Sequence, residues 1–182
     1  MESWQKIRLG DYCKTNSATF GKSDNYAFVN YLDTGNITEN IIDEIQYIDT
    51  TVDKLPSRAR RKVSFNSIVY STVRPNQKHF GIIKTQPENF LVSTGFVVID
   101  ADEKRIDSDF LYHYLTQKDV VEHLHAIAEQ STSAYPSIKP IDIENLEIMI
   151  PDIETQKKIS SILTLIENKQ AGNCDVNKNL AA

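Results

Sequence analysis

The chain has 182 residues, of which 40% are hydrophobic, six are glycine and six are proline. This length and composition fit one globular domain with a short appendage and exclude a disordered or fibrous protein. The sequence holds no apolar run of the roughly 18 residues that a membrane-spanning helix needs, and no signal peptide at its start. Cys13 and Cys174 form no CxxC motif. We therefore expect a soluble cytoplasmic protein without a zinc ribbon or a disulfide framework.

Positive charge is concentrated in one part of an acidic chain. The formal net charge is −5, from 25 acidic and 20 basic residues. Residues 54–87 contain eight Lys or Arg and no Asp or Glu, which leaves 25 acidic against 12 basic residues elsewhere. This division predicts one positive face that can bind phosphates on an otherwise acidic body. The alternative is that folding brings acids from elsewhere against these basic side chains.

The first hundred residues predict mostly strands and long loops. Residues 26–38, YAFVNYLDTGNIT, indicate a strand, a turn at Asp33 to Gly35 and the start of a second strand. The polar run 13–25, CKTNSATFGKSDN, predicts a loop. Four further β-branched and aromatic runs predict strands at residues 67–73, 79–85, 89–94 and 96–100.

From about residue 107 the apolar spacing becomes helical. DSDFLYHYLTQ (107–117) opens with capping residues, and KDVVEHLHAIAEQ (118–130) repeats the helical spacing. The polar run 131–140 ends these helices, and LEIMI (146–150) predicts a short strand. Residues 1–151 are therefore predicted to form a strand-rich α+β domain with a helical part.

Residues 152–182 predict a C-terminal helix. Asp152 suits its start and Glu154 its first turn, where the helix dipole favours acids. Ile159, Ile162 and Ile166 are spaced three and then four residues apart, as in a coiled-coil seam. Such a helix either docks on its own domain or pairs with a partner helix.

No residue pattern predicts catalysis. Asp100, Asp102 and Lys104 are superficially similar to a metal-dependent nuclease site, but their place at a strand end favours a solvated turn. His123 and His125 are two residues apart, so on a helix they point to different faces. We therefore expect no metal ion and no cofactor on this chain.

Several strings occur together in the order found in specificity subunits of Type I restriction–modification enzymes. The resemblance runs from about Trp4 to Lys169, and the order is more specific than any single string. The strings are SRARRKVSFNSIVYSTVRPN (57–76), VSTGFVVI (92–99), DSDFLYHYLTQ (107–117) and YPSIKPIDIENLEIMIPDIETQKKISSIL (135–163).

The resemblance implies one target recognition domain, residues 1–151, followed by the start of one spacer helix, residues 152–182. Members of the family carry two such domains and two long helices, and they perform no chemistry themselves. The implied function is sequence-specific recognition of double-stranded DNA, directing methyltransferase and restriction subunits to one half of a bipartite target. S-adenosylmethionine, ATP and magnesium would belong to those partner subunits. This chain departs from the family plan in length, with room for one domain and one short helix. It is expected to be either a natural half-subunit that pairs with a second copy of itself through Ile159, Ile162 and Ile166, or a fragment of a longer subunit.

The resemblance also assigns the basic window to a DNA-facing edge, with a loop after Pro56 presenting its arginines. Strings shared by domains with different targets cannot distinguish those targets, so their basic residues are expected to contact phosphates. These residues are Arg58, Arg60, Arg61, Lys62, Arg74 and Lys78. Base readers are expected in the segments least like the family, 15–26 and 129–135. The candidates there are Asn16, Lys22, Asn25 and Gln130.

Three other interpretations stay open from the sequence. The same domain would also suit a single-chain enzyme that fuses methylation and restriction. A protein-interaction module would use the basic patch against acidic proteins and the helix for assembly. An unrecognised nuclease would depend on Asp100 or Asp102.

Overall fold

The computed structural model describes residues 4–21, 23–130 and 136–180, except for the side chains of residues 171, 172 and 174–180. Twelve strands lie in these ranges. They are β1 (Gln5–Arg8), β2 (Cys13–Thr15), β3 (Phe28–Leu32), β4 (Ile37–Thr38), β5 (Ile41–Ile42), β6 (Gln46–Asp49), β7 (Ala59–Lys62), β8 (Ile68–Ser71), β9 (Phe80–Ile82), β10 (Phe90–Ser93), β11 (Phe96–Ala101) and β12 (Glu147–Ile150).

Four helices complete the described part of the chain. They are α1 (Ser108–Leu115), α2 (Lys118–Glu129), α3 (Pro140–Glu144) and α4 (Ile153–Leu180). Short 3-10 turns lie at Leu9–Asp11, Thr34–Asn36 and Pro75–Gln77. None of these helices is both long enough and apolar enough to cross a membrane.

The predicted α+β class is confirmed, and the change from strands to helices falls near residue 107 as expected. Two loop predictions are correct only in part. The polar run 13–25 begins with β2, which pairs with β11, and the basic segment after Pro56 forms β7, which pairs with β10. Both are outer strands without a regular apolar alternation, so backbone pairing rather than side-chain pattern defines them. Helix α3 was not predicted from the sequence, because Pro140 was interpreted as a helix breaker. Proline is in fact favourable in the first turn of a helix, where Pro140 lies.

Two four-stranded sheets form the centre of the domain. The first has the order β2-β11-β8-β9, with all neighbours antiparallel. The second has the order β6-β3-β10-β7, in which only β3 and β10 run parallel. β1 pairs with β12, which joins the start of the domain to the strand before α4, and β4 pairs with β5.

Alternating side chains of the first sheet fill two separate apolar cores. On β11, Val97 and Ile99 join a core with α1, α2 and α3, whereas Phe96 and Val98 join a core with the second sheet. β8 divides in the same way, and all of its residues are buried. The first sheet is therefore enclosed between the helices and the second sheet.

Connecting segments, not helices, cover the other face of the second sheet. Val29, Tyr31, Ala59 and Leu91 form a small buried cluster on that face. The half-buried side chains packed against this third cluster are Phe20, Tyr26, Ile48 and Leu55. The polar run 13–25 and the segment before β7 thus meet on the same face.

Polar side chains dock the first half of α4 on α1. The side chain of Gln156 is buried: its Oε1 accepts from the Asp107 N–H at 2.9 Å and its Nε2 donates to the Pro151 carbonyl at 2.9 Å. Further along, the buried His113 ring lies 3.3 Å from Thr164 Oγ1 and 3.2 Å from the Glu167 carboxylate.

The predicted isoleucine seam on α4 divides between two environments. Ile159 packs against the core beneath the helices, whereas Ile162 and Ile166 are 59% and 49% exposed. Leu165 is 68% exposed beside them. The helix continues to Leu180, so a helix over most of 152–182 is present, and pairing through its exposed seam stays a prediction.

Replacing Gln156 with Ala should lower the free energy of unfolding by about 1–3 kcal/mol, because buried backbone groups lose their hydrogen-bond partner. Gln156→Glu should also destabilise the protein at neutral pH, since a carboxylate cannot donate to the Pro151 carbonyl. Urea unfolding measures both changes, and exposed Gln170→Ala on the same helix should stay within about 0.5 kcal/mol of wild type. Equal stability of Gln156→Ala and Gln170→Ala would contradict this role.

Candidate nucleic-acid interface

The basic strand β7 lies beside one of the segments predicted to read bases. The Phe20 N–H donates to the Arg60 carbonyl at 2.7 Å, and the Lys62 N–H donates to the Ala18 carbonyl at 3.1 Å. Residues 18–20 therefore cover the edge of β7 that β10 leaves open. Two segments that are distant in sequence, one basic and one polar, share a single surface.

Side chains reinforce this backbone pairing. The Arg60 guanidinium lies 6.0 Å from the centroid of the Phe20 ring, and Lys62 Nζ lies 2.6 Å from the Asp24 carboxylate. The Gly21 N–H also donates to Asp24, at 2.8 Å. These hydrogen bonds, from Gly21 and then from Lys62, hold the pKa of Asp24 below its usual value, and Asp24 raises the pKa of Lys62. Both groups are therefore charged at neutral pH.

The remaining arginines of this segment differ in exposure. Arg58 is exposed, and its guanidinium lies over Gly95, where an added β-carbon would collide with it and with the Thr34 methyl group. Arg61 is half-buried, and among the described residues its buried Nε has no hydrogen-bond partner. A side chain at position 95 of the STGF string would therefore displace the Arg58 guanidinium and the Thr34 methyl group from these positions.

The Asp33 carboxylate experiences both the charge of Arg58 and polar groups of the second sheet. Its carboxylate accepts from the Thr34 N–H at 2.8 Å and hydrogen-bonds with the side chains of Ser93 and Tyr31. Burial acts to raise the pKa of Asp33, but these hydrogen bonds and the charge of Arg58 outweigh burial and leave that pKa below its usual value. Because Tyr31 and Ser93 are buried, the carboxylate beside Arg58 has a fixed position.

A second basic pair lies on either side of the Pro75–Gln77 turn. Arg74 and Lys78 have left-handed backbone conformations, with φ of 47° and 58°. Lys78 Nζ lies 2.6 Å from the Glu39 carboxylate. Arg74 has an exposed side chain, and its N–H donates to the Pro136 carbonyl at 3.1 Å, which holds the strained turn in place.

Short contacts connect Arg58 to the second basic pair. Thr72 donates both its N–H and its hydroxyl to the Gly95 carbonyl, at 2.8 and 3.0 Å. Gly95 lies beneath the Arg58 guanidinium, and Thr72 is two residues before Arg74. The exposed side chains of Arg58 and Arg74 thus arise from adjoining parts of the two sheets.

The four candidate base readers have different settings. Asn16 is half-buried with φ of 51°, and its Oδ1 accepts from the Val98 N–H at 3.0 Å, so this oxygen is used by the fold. Asn25 is exposed on the segment beside β7, and Gln130 is exposed at the end of α2. Lys22 lies outside the described residues.

The groups considered for nuclease chemistry have structural roles. Asp100 accepts hydrogen bonds from the hydroxyls of Ser17 and Ser67. The Asp102 carboxylate accepts from the Lys104 N–H at 3.2 Å within a turn. In the part of the chain that the structure describes, no three His, Cys, Asp or Glu side chains are grouped so that they could hold a metal ion.

Sequence reasoning missed three residues that shape this surface: Asp24, Asp33 and Gly95. The two acids lie outside the basic window and meet Lys62 and Arg58 only after folding. Folding therefore does bring acids against part of the window, as the alternative interpretation of the charge pattern holds. For Gly95 the sequence offered one signal, the string STGF within residues 92–99. That string marked Gly95 as part of a family motif but did not indicate its contact with Arg58.

Comparison with known proteins settles the family. Residues 1–178 match the family described as Type I restriction modification DNA specificity domain. The chain belongs to this family. It is 29% identical over 180 residues to the Type I restriction enzyme HindI specificity subunit of Haemophilus influenzae, which covers 99% of this chain and 39% of that subunit.

Solved structures share the fold. The HsdS subunit from Thermoanaerobacter tengcongensis matches with a TM-score of 0.77 and 24% identity, over 93% of this chain and 43% of that one. The S subunit from M. genitalium matches with a TM-score of 0.60 and 14% identity, over 94% and 41% of the two chains. This chain spans about two fifths of the length of these relatives.

Replacing Asp33 with Asn should lower stability at neutral pH by about 1–2 kcal/mol, because an amide accepts the hydrogen bonds around it less strongly than a carboxylate. The native pKa of Asp33 is below that of the unfolded chain, about 3.9, so its contribution is present above about pH 4. That contribution is lost as the pH falls through the native pKa.

Urea unfolding between pH 7 and pH 3 measures this effect. The stability difference between wild type and Asp33→Asn should narrow at the acid end of the series. Exposed Asp43→Asn, which makes the same chemical change, should show no such narrowing. A constant difference between wild type and Asp33→Asn at every pH would count against the carboxylate's role.

Proposed function

We propose that this chain is a sequence-specific reader of double-stranded DNA within a Type I restriction–modification specificity subunit. In this proposal residues 1–151 are one target recognition domain and residues 152–182 are a spacer helix. The family match supports it. The observation that carries it is the pairing of β7 with residues 18–20, because this joins candidate phosphate contacts and candidate base readers in one surface.

The surface suits two kinds of contact with DNA. Cationic side chains bind phosphates regardless of sequence and set the register of the protein, whereas amide side chains recognise base edges. We assign the first role to Arg58, Arg60, Arg61, Arg74 and Lys78. Lys62, the sixth candidate from the sequence, pairs with Asp24. We assign the second role to Asn25, Gln130, Lys22 and the Nδ2 group of Asn16, whose oxygen is already used.

The proposed partners follow from the same function. Methyltransferase subunits and restriction subunits would perform the chemistry on DNA that this chain selects, in the cytoplasm. S-adenosylmethionine, ATP and magnesium would be bound by those subunits, and this chain would bind no cofactor and catalyse no reaction. The exposed side chains of Arg58 and Arg74 favour a polyanionic ligand such as DNA. The acidic surface of a protein partner would carry charge of the same sign.

Selection from a random pool of duplex DNA tests the proposal directly. The chain is incubated with the pool at two salt concentrations, with and without the methyltransferase encoded beside it. Enrichment of a motif of a few base pairs is the expected result. Unselective binding that disappears at moderate salt would mean that the surface contacts only phosphates and does not read the sequence. Absence of binding in all conditions would favour a protein-interaction module.

Replacing Arg74 with Ala should weaken binding to the selected motif and to a scrambled duplex by a similar factor. The slope of log K against log salt concentration should fall by about 0.9, because one phosphate contact fewer releases one counterion fewer. Fluorescence anisotropy over a salt series measures both effects. Lys6→Ala on β1 removes the same charge and is the control. Loss of binding to the motif alone would instead make Arg74 a base reader.

We also propose that α4 pairs with the same helix of a second copy of this chain. The first half of α4 docks on α1 through polar side chains. In the same half of the helix, three apolar side chains are exposed: Ile162, Leu165 and Ile166. Isolated apolar residues are common on protein surfaces, but Ile162 and Ile166 are four residues apart on one 28-residue helix, a spacing that occurs within a coiled-coil seam.

Exchanging Ile162 and Ile166 together for Lys should abolish dimer formation while leaving the domain folded. Two charged side chains cannot be buried in an apolar seam without a large desolvation penalty. Sedimentation equilibrium measures the association of wild type and variant, and circular dichroism monitors folding. A wild-type chain that remains monomeric at all accessible concentrations would contradict self-pairing.

A further inference from the structure

We infer that Asp24 is a positioning residue for the base-reading loop, and that Lys62 anchors this loop to β7 instead of contacting phosphate. The term base-reading loop here means residues 20, 21 and 23–26. The inference rests on the proposed function, since it assigns roles within the proposed DNA surface. It differs from the sequence-based assignment of Lys62 and gives Asp24 a role that the sequence did not suggest.

Two aromatic residues hold the ends of the base-reading loop together. The ring centroids of Phe20 and Tyr26 are 5.0 Å apart. Both rings pack against the third cluster, on the outer face of the second sheet. Phe20 and Tyr26 therefore bring the two ends of the base-reading loop close together on the sheet.

Hydrogen bonds of Asp24 hold the base-reading loop in place. Its N–H donates to the Gly21 carbonyl at 3.1 Å, and its Oδ2 accepts from the Gly21 N–H at 2.8 Å. Its Oδ1 accepts from Lys62 Nζ at 2.6 Å. One carboxylate thus closes the turn and ties it to β7. Ser23 and Asn25, on either side of Asp24, are exposed and available to a ligand.

Lys62 is poorly placed to act as a free cation. Its side chain is only 30% exposed, and Nζ lies 5.9 Å from the Tyr26 centroid as well as against Asp24. The adjacent negative charge cancels most of its attraction for a phosphate at longer range. The exposed Arg74, by contrast, has no ion pair with any residue that the structure describes.

A preorganised loop affects selectivity more than general affinity for DNA. Hydrogen bonds to base edges depend on the position of each donor and acceptor, whereas phosphate attraction depends mainly on charge. If the loop were disordered in the free protein, binding to the target would have to order it. The entropy lost in ordering the loop would weaken binding to the target, which requires the ordered loop. Loss of the Asp24 contacts should therefore reduce discrimination between the target and other sequences.

The charge-neutral double variant Asp24→Ala/Lys62→Ala separates positioning from electrostatics. The full chain and its variants are titrated with the motif selected by wild type and with a scrambled duplex. The double variant should bind the scrambled duplex like wild type and the selected motif about tenfold more weakly. Asp24→Ala alone should bind the scrambled duplex more tightly, because a negative charge is lost, and should still discriminate about tenfold less.

A matched pair elsewhere on the chain provides the control. Lys6 and Glu147 form an ion pair of the same 2.6 Å length between β1 and β12. Lys6→Ala/Glu147→Ala should leave binding to both duplexes unchanged. If the Asp24 double variant unfolds, Asp24→Asn replaces it, because an amide can still accept from Gly21 but forms no ion pair with Lys62.

The outcomes distinguish this inference from the proposed function. Equal weakening of both duplexes in the double variant would make Lys62 a phosphate contact and overturn the inference. Wild-type discrimination in Asp24→Ala would overturn it as well. Failure of the wild-type chain to select any motif would overturn both the proposed function and the inference.

Discussion

β8 and β11 carry apolar side chains on both faces, so each face must be covered by another layer of structure. The helices cover one face and the second sheet covers the other. This leaves the second sheet with an outer face that only connecting segments cover, around a cluster of four buried residues. The outer face of the second sheet can therefore carry polar and charged groups among the segments that cover it. β7 is the edge strand of this sheet, and residues 18–20 pair with its open edge.

The basic window is divided between anchors and free cations. Lys62 and Lys78 pair with Asp24 and Glu39, which lowers the positive charge that the window presents to solvent. Exposed ion pairs add little to stability, so their importance lies in the geometry that they favour. Arg58 and Arg74 keep exposed side chains, and a rigid framework supports each of them. A cluster of basic residues in a sequence thus overstates the charge available to a ligand.

The regular parts of this fold could be predicted from the sequence, because burial imposes a pattern on side chains. The enclosed strands β8, β10 and β11 are runs of β-branched, aromatic and other apolar residues, and α1 and α2 have helical apolar spacing. β7 could not be predicted, since four residues of sequence ARRK show no alternation and form a strand only through pairing with β10 and residues 18–20.

The candidate site was predictable in composition but not in geometry. Charge alone identified the window that holds Arg58 and Arg74, and divergence from the family identified the segment 15–26. Nothing in the sequence indicated that these two would be neighbours. Asp33 and Gly95 are distant in sequence, yet folding places both near Arg58, and proximity of this kind leaves no local pattern in the sequence.

Main-chain hydrogen bonds attach residues 18–20 to β7, through Phe20 with Arg60 and Ala18 with Lys62. Hydrogen bonds between main-chain groups do not depend on the identity of most side chains. Exposed positions such as Ser23 and Asn25 can accordingly be exchanged during evolution without loosening the strand that supports them. The same architecture can acquire a new preference through one or two substitutions while its stability is maintained elsewhere. The domain in this sense combines a fixed backbone framework with exposed positions that can be exchanged.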